Sequence, residues 1–291
     1  MRAILQALSE LLEQRRRGAL ATVVRTSGSV PQVAGARLLL RDDGTSFGTV
    51  GGGAIEHSVR EALERVLATG RPELLQRDLA HDLGMCCGGR MEVFVERVEP
   101  PPRLWLIGAG HVALATAPLA RRVGFEVSVV DEREELNSAV RFPDCELRLA
   151  EPSEVLRKAS FTPFDWILIA THDHQLDEQS LHAALATSAR YIGLVGSRRK
   201  VLRLVQRVAL KSATPPSLER LFAPVGLDIG AVSPEEIAVS IVAELVAVRN
   251  SHPAPHLRTP ELARAVSAQA IGDELGAVLG LPNNPTKPPP A

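Results

Sequence analysis

The sequence predicts an α/β fold: a Rossmann-like domain on a mostly parallel sheet, preceded by a smaller mixed α+β domain. Three observations predict it. Arg103 to Ala113 reads RLWLIGAGHVA, an apolar strand running into a G-x-G-x-x-A turn. In that pattern Gly108 permits a tight turn, Gly110 lets a phosphate or a loop approach the backbone, and Ala113 lets the helix pack on the strand. A second strand, Glu126 to Val130, ends on Asp131, about 20 residues past the glycines, where dinucleotide folds place a ribose-binding carboxylate. Finally, Glu99-Pro100-Pro101-Pro102 stiffens the chain just before the first of these strands and marks a boundary. The expected division is 1–99, 103–249 and a carboxyl-terminal extension over 250–291.

Composition narrows the function. The chain has 291 residues, 45% of them apolar, and a formal net charge of -1. Such a balance gives no general attraction to nucleic acid or to an anionic membrane. With a single tyrosine, Tyr191, a stacking platform for single-stranded nucleic acid is not expected. The three cysteines are too few for a disulfide framework and suit a reducing, cytoplasmic setting. The opening stretch has helical spacing of Ile4, Leu5, Leu8, Leu11 and Leu12, broken by Ser9 and Glu10, unlike a signal peptide. No apolar run is long enough to span a bilayer.

After the opening helix, Ala19 to Val24 and Ala36 to Leu40 read as strands, with Asp42-Asp43-Gly44 as a hairpin-like turn. Gly48 to Gly53 holds four glycines before a helix starting near Ile55. Gly51, Gly52 and Gly53 either expose backbone N–H groups to an anion or mark a crossing too crowded for side chains. No Gly-Lys-Ser/Thr follows, so this is not a Walker A loop. Glu56 repels a phosphate unless it meets a donor on the ligand; it equally suits a helix cap. Cys86 and Cys87 precede two glycines. One thiol either faces a ligand or both are small core residues; adjacent cysteines do not form a standard zinc site. Met91 to Val98 alternates and reads as a closing strand.

In the second region a helix follows from about His111 to Arg122, with Pro118 as a kink. Arg133 pairs with a ligand phosphate or with Asp131. Short elements follow at Glu146 to Leu149 and Glu151 to Lys158. Asp165 to Ala170 is a buried-type strand ending in Thr171-His172-Asp173-His174, whose side chains bind a ligand, bind a metal or cap a helix. Tyr191 to Val195 is the next strand. Arg198, Arg199 and Lys200 then open a helix, suited to phosphate or carboxylate, or simply solvated. Ser233, Pro234 and Glu236 form an N-cap, N1 and N3 set for a helix burying Ile237, Ile241, Leu245 and Val248. Beyond Asn250 the signal weakens to a loose helix over 261–279 and a disordered Pro-rich tail.

These motifs in order resemble the XdhC/CoxI family of molybdenum-cofactor accessory proteins. The matching stretches are TSGSVPQVAG (Thr26 to Gly35), GTVGGGAIE (Gly48 to Glu56), Cys87-Gly88-Gly89, LWLIGAGHVA, VVDER, THDHQLDE, YIGLVGSRRK and VGLDIGAVSPEEIAVSIVAEL. The resemblance implies a non-enzymatic chaperone. It would bind a molybdopterin-type molybdenum cofactor transiently and support its sulfuration with a cysteine desulfurase. It would then pass the cofactor to xanthine dehydrogenase or a related molybdenum hydroxylase. It also places the family's cysteine at the Cys86-Cys87 pair, with Cys87, which adjoins Gly88-Gly89, as the candidate metal ligand and either thiol open to face the cofactor. The cofactor-binding set is then Gly51, Gly52, Gly53, Glu56, Cys86, Cys87, Gly108, Gly110, Asp131, Arg198, Arg199 and Lys200, converging on one cleft. A homodimer is expected from the apolar faces of the first and last helices. The competing reading is an NAD(P)-dependent oxidoreductase, supported by Gly108, Gly110 and Asp131 but lacking a proton-donor constellation.

Overall fold

The computed structural model describes residues 2–85, 88–211 and 216–255. The chain divides into Met1–Val246, which carries both sheets, and Ala247–Ala291. The helix expected over 261–279 and the tail lie outside the described residues.

The chain opens with α1 (Arg2–Glu13), followed by β1 (Gly18–Ser27), β2 (Arg37–Arg41) and β3 (Ser46–Gly48). Then come α2 (Gly53–Thr69), β4 (Glu73–Asp78) and β5 (Arg90–Val98). The strands form an antiparallel sheet in the order β3-β2-β1-β5-β4. Its two faces bury different helices. One face packs Val23, Leu38, Val93 and Val95 against Ile55, Val59 and Leu63 of α2. On the other, Leu20 and Leu39 meet Ile4 and Ala7 of α1. This two-sided burial follows from strand alternation, since neighbouring residues point to opposite faces. The strand expected to close the region, β5, instead lies inside the sheet between β1 and β4. β4 takes the edge, where only Leu75 is buried and its neighbours Leu74 and Gln76 are exposed.

The second sheet is built from β6 (Arg103–Ile107), α3 (His111–Arg122), β7 (Glu126–Val130), β8 (Glu146–Arg148) and α4 (Pro152–Lys158). It continues with β9 (Asp165–Ile169), α5 (His174–Leu185), β10 (Tyr191–Leu194), α6 (Arg198–Lys211), β11 (Leu221–Phe222) and α7 (Pro234–Arg249). All six strands are parallel, in the order β11-β10-β9-β6-β7-β8. This is a doubly wound sheet, whose order reverses between β6 and β9. Central strands are buried on both faces: all five residues of β9 are inaccessible. Asp165 among them is satisfied by Arg103 Nε at 2.7 Å, Trp105 Nε1 at 2.9 Å and the Thr162 N–H at 2.7 Å.

α7 begins as its sequence requires. Glu236 accepts the Ser233 N–H at 3.0 Å and donates its own N–H to Ser233 Oγ at 3.2 Å, a reciprocal capping box. The helix docks on the sheet through buried Ile241 and Leu245, and through Ser240 Oγ, which donates to the Leu227 carbonyl at 2.6 Å. Tyr191, stacked between Trp166 and Phe222, donates to Glu244 of α7. Burial and the adjacent Glu244 carboxylate push the Tyr191 phenol well above its ordinary value.

Candidate functional site

The crevice at the strand-order reversal is shaped by two glycines with different duties. Gly108 follows β6 at φ 106°, and a Cβ there would stand 2.5 Å from the Ala170 carbonyl oxygen. Only glycine fits, because the turn crosses the end of β9. Gly110 has φ -73° and ψ -171°, and a Cβ built on it meets nothing within 4 Å. Its open side faces a cavity of about 470 Å³, lined in part by Gly110, His111, Arg133, Arg141, His172 and Lys200. Among the described residues no carboxylate lines that cavity. The amino end of α3 adds its partial positive charge.

Each cation there is held differently. Arg133 is locked to Asp131, with Nε to Oδ1 at 2.8 Å and Nη2 to Oδ2 at 2.7 Å. Asp131 also accepts the Ala109 N–H at 2.7 Å and the Arg133 N–H at 3.0 Å. Burial pushes the Asp131 carboxyl up, but these donors outweigh it and hold the group below the usual carboxylate range. Lys200 Nζ reaches Asp177 at 2.6 Å, and Asp177 also accepts the Thr171 N–H at 3.1 Å and the Thr171 hydroxyl at 2.7 Å. The Asp177 carboxylate therefore ties the β9–α5 loop to the start of α6. Among the described residues Arg141 bonds only backbone oxygens, Leu136 at 3.0 Å and Ala109 at 3.1 Å.

A second cavity of about 520 Å³ lies alongside, sharing Val195 and running past Gly196, Ser197, Arg198 and the Pro224 to Ala231 loop. Arg198 there sits 3.7 Å from Asp228, both largely solvated. The basic trio thus separates: Lys200 enters the first cavity, Arg198 the second, and Arg199 is exposed and lines neither.

In the first region the glycine loop is already occupied. The Glu56 carboxylate accepts the Thr49 hydroxyl, the Gly52 N–H at 3.2 Å and the Val50 N–H at 3.4 Å. The Thr49 hydroxyl, outweighing partial burial, holds Glu56 below the usual carboxylate range, with the backbone donors adding to it. Gly51 packs on Pro31, with a Cβ 2.5 Å from Pro31 Cγ, while Gly52 and Gly53 face open space. Gly89 wedges between the Ser27 and Ser29 carbonyls, and Gly28 lies against Gly89. Three separate motifs, TSGSVP, GTVGGG and the Gly88-Gly89 pair, therefore meet through glycine backbone. Cys86 and Cys87 lie outside the described residues. Gly51, Gly52, Gly53 and Glu56 line neither of the two cavities at the second sheet.

The His-Asp-His stretch divides its labour. Asp173 caps α5, accepting the Gln175 N–H at 2.7 Å and the Leu176 N–H at 3.1 Å. His172 lines the first cavity and His174 starts the helix. Among the described residues no group of three His, Cys, Asp or Glu side chains has metal-holding geometry. Sequence reasoning missed Arg141. It sits in the irregular 131–145 segment, where neither periodicity nor motif singles it out; only the folded loop carries it to the Ala109 carbonyl.

Known proteins supply the context. Residues 104–245 match the family model described as the XdhC Rossmann domain, and residues 11–78 match that of the XdhC and CoxI family. Over 258 residues the chain is 36% identical to the uncharacterized protein YqeB of Escherichia coli (strain K12), covering 87% of this chain and 47% of YqeB. It therefore spans about half the length of that relative. It is 28% identical to a protein of Bacillus subtilis (strain 168) named as a probable subunit of xanthine dehydrogenase, over 83% of this chain and 96% of that one. It is also 22% identical to the molybdenum cofactor insertion chaperone PaoD of Escherichia coli (strain K12), over 85% of this chain and 88% of PaoD. With an antiparallel first sheet, a doubly wound second sheet and family models matched on each, the chain belongs to the XdhC and CoxI family.

Proposed function

We propose that the protein is a molybdenum-cofactor chaperone. It holds a molybdopterin-type cofactor transiently, supports its sulfuration with a cysteine desulfurase, and delivers it to xanthine dehydrogenase or a related molybdenum hydroxylase. The observation that carries this is the match of both regions to relatives whose names join xanthine dehydrogenase and molybdenum cofactor insertion. The cargo has a phosphate, a polar pterin and soft sulfur around the metal. Gly108, Gly110 and Lys200 suit the phosphate. Gly51, Gly52, Gly53 and Glu56 suit pterin polar groups once Glu56 exchanges its loop donors for ligand N–H groups. The thiols of Cys86 and Cys87, Cys87 foremost, suit the metal or its sulfur end. In this reading Asp131 supports the Gly108 turn through Ala109, and Arg198 and Arg199 lie at the rim.

The decisive measurement is anaerobic. Purified protein is loaded with molybdenum cofactor, the bound amount is counted, and the activity restored to cofactor-free xanthine dehydrogenase is read. Loading near one cofactor per chain with restored activity, both reduced in Cys87→Ala, is expected. No loading, or loading without transfer, ends the reading. The alternative, an NAD(P)-dependent oxidoreductase, draws on the doubly wound order and the glycine turn. Against it, the carboxylate that would read the ribose is already fully bonded. We further place the protein in the cytoplasm as a homodimer. Leu5 and Leu12 on α1 and Val239 on α7 remain exposed as apolar contacts. Sedimentation showing a monomer at all concentrations ends the dimer.

A further inference from the structure

The cavity beside Gly110 has a chemistry that the glycine pattern alone does not specify. Among the described residues its lining carries Arg133, Arg141, Lys200, His111 and His172 and no acid. Two of the cations are spoken for, Arg133 by Asp131 and Lys200 by Asp177. Arg141 has no carboxylate within ion-pair distance among the described residues. Its Nε and Nη2 are anchored on the Leu136 and Ala109 carbonyls. A guanidinium has five N–H donors, so this anchoring fixes the plane and leaves the remaining donors for another acceptor. The Ala109 anchor sets that guanidinium at the glycine turn itself, next to the open side of Gly110. At the same turn Asp131 makes four hydrogen bonds, all to donors of its own chain. A carboxylate offers about four lone-pair positions, so none remains for a ribose diol.

We propose that this cavity is a phosphate-ester site read by Arg141, and that the Asp131–Arg133 lock shuts out the adenosine-ribose mode of a nicotinamide dinucleotide. The site takes a phosphomonoester or diphosphate between Arg141, His172, Lys200 and the amino end of α3. Arg141 acts as a point of bidentate recognition, and its half-buried position spares it full screening. The proposal rests on the cofactor-chaperone reading only for which ester is carried; the anion preference stands on the cavity.

The test is calorimetric titration of the full chain with inorganic pyrophosphate at low ionic strength, repeated with NAD. Wild type binds pyrophosphate, and affinity falls as salt rises. Arg141→Ala weakens it about tenfold or more, the usual scale for losing a charged hydrogen-bonding partner. Arg141→Gln, whose amide nitrogen stands where Nε stood and keeps a donor for the Leu136 carbonyl, covers the case in which the alanine variant fails to fold. It should melt like wild type and still lose most of the affinity. NAD binds no tighter than pyrophosphate. If wild type does not bind pyrophosphate, or Arg141→Gln binds as wild type does, the site is wrong. If NAD binds about tenfold tighter than pyrophosphate, the ribose exclusion is wrong. Pyrophosphate binding without molybdenum-cofactor loading would defeat the chaperone reading and leave the anion site intact. Cofactor loading that ignores Arg141, while pyrophosphate binding needs it, would overturn the cofactor as the ester carried in this cavity.

Discussion

The loop from Gly48 to Gly53 and the turn from Gly108 to Gly110 look alike in sequence and have opposite fates. Each brings a glycine-rich turn to a helix start, and each is met by a carboxylate of its own chain. Glu56 reaches back from the first turn of α2 and takes two of the loop's N–H groups together with the Thr49 hydroxyl. Asp131 comes from the neighbouring strand end and takes only the Ala109 N–H of its turn. The rest of its capacity goes to Arg133, and the Gly110 side stays open toward a cavity with no acid among the described residues. The hydrogen-bond donors to Glu56 are all neutral, and better ones can displace them. Asp131 is buried in an ion pair and cannot leave without stranding a guanidinium. The first loop is thus a closed nest awaiting exchange, and the second a fixed wall beside an open site.

The harshest way to break this contrast is to remove the fixed carboxylate. Asp131→Ala should cost roughly 2–4 kcal/mol, slightly under the cost of breaking a fully buried pair because Arg133 keeps 25% exposure. Urea unfolding reads it directly. The pH dependence has a definite sign. The folded-state value of Asp131 is lowered, so its contribution is complete above the unfolded value of about 4 and is lost as pH falls through the folded value. Wild type and Asp131→Asn should differ in melting temperature at neutral pH and converge only well below about pH 4.

Next come the glycines. Gly108→Ala combines φ 106° with a 2.5 Å approach to the Ala170 carbonyl, and should cost roughly 2–3 kcal/mol. Gly52→Ala, at φ 69° and ψ 177° with open space around it, meets only the penalty of a backbone region essentially reserved for glycine, roughly 1–3 kcal/mol. Equal denaturation midpoints for the two would show that the turns are not differently packed.

The smallest effect is on Glu56. Glu56→Ala should lower stability by about 1 kcal/mol or less, as for a lost cap. It should also open the Val50 and Gly52 N–H groups to added phosphate, visible as chemical-shift changes of those amides. Unmoved amides would mean that the loop is not an anion nest even when vacated. Glu56 also sits below the usual carboxylate range, so its small contribution persists above the ordinary value and fades as pH falls through the folded one.

Much of the fold was legible because local signals and burial agree. β6, β7, β9 and β10 read to within one residue, since strands buried on both faces are nearly continuous apolar runs. α7 read from Ser233, Pro234 and Glu236 because a capping box is a local device. The edges escaped. β4 has one buried residue and β11 only two residues, so neither carries a periodic signal. At the site, the glycines and Asp131 stood out, whereas Arg141 did not.

What the amino-acid sequence determined by itself is local: which stretches are strands or helices, where glycine is needed, where charge gathers, and the family these motifs mark out. Whether a donor is free is not local. Glu56 closes its own loop across 4 to 7 residues, Asp131 spends itself on Arg133 and on Ala109 22 residues away, and Arg141 reaches the Ala109 carbonyl from 32 residues off. Hydrogen-bond capacity is finite and is allotted only when the chain closes on itself. Tertiary structure therefore decided which of two similar turns is filled and which keeps an open, cation-lined cavity.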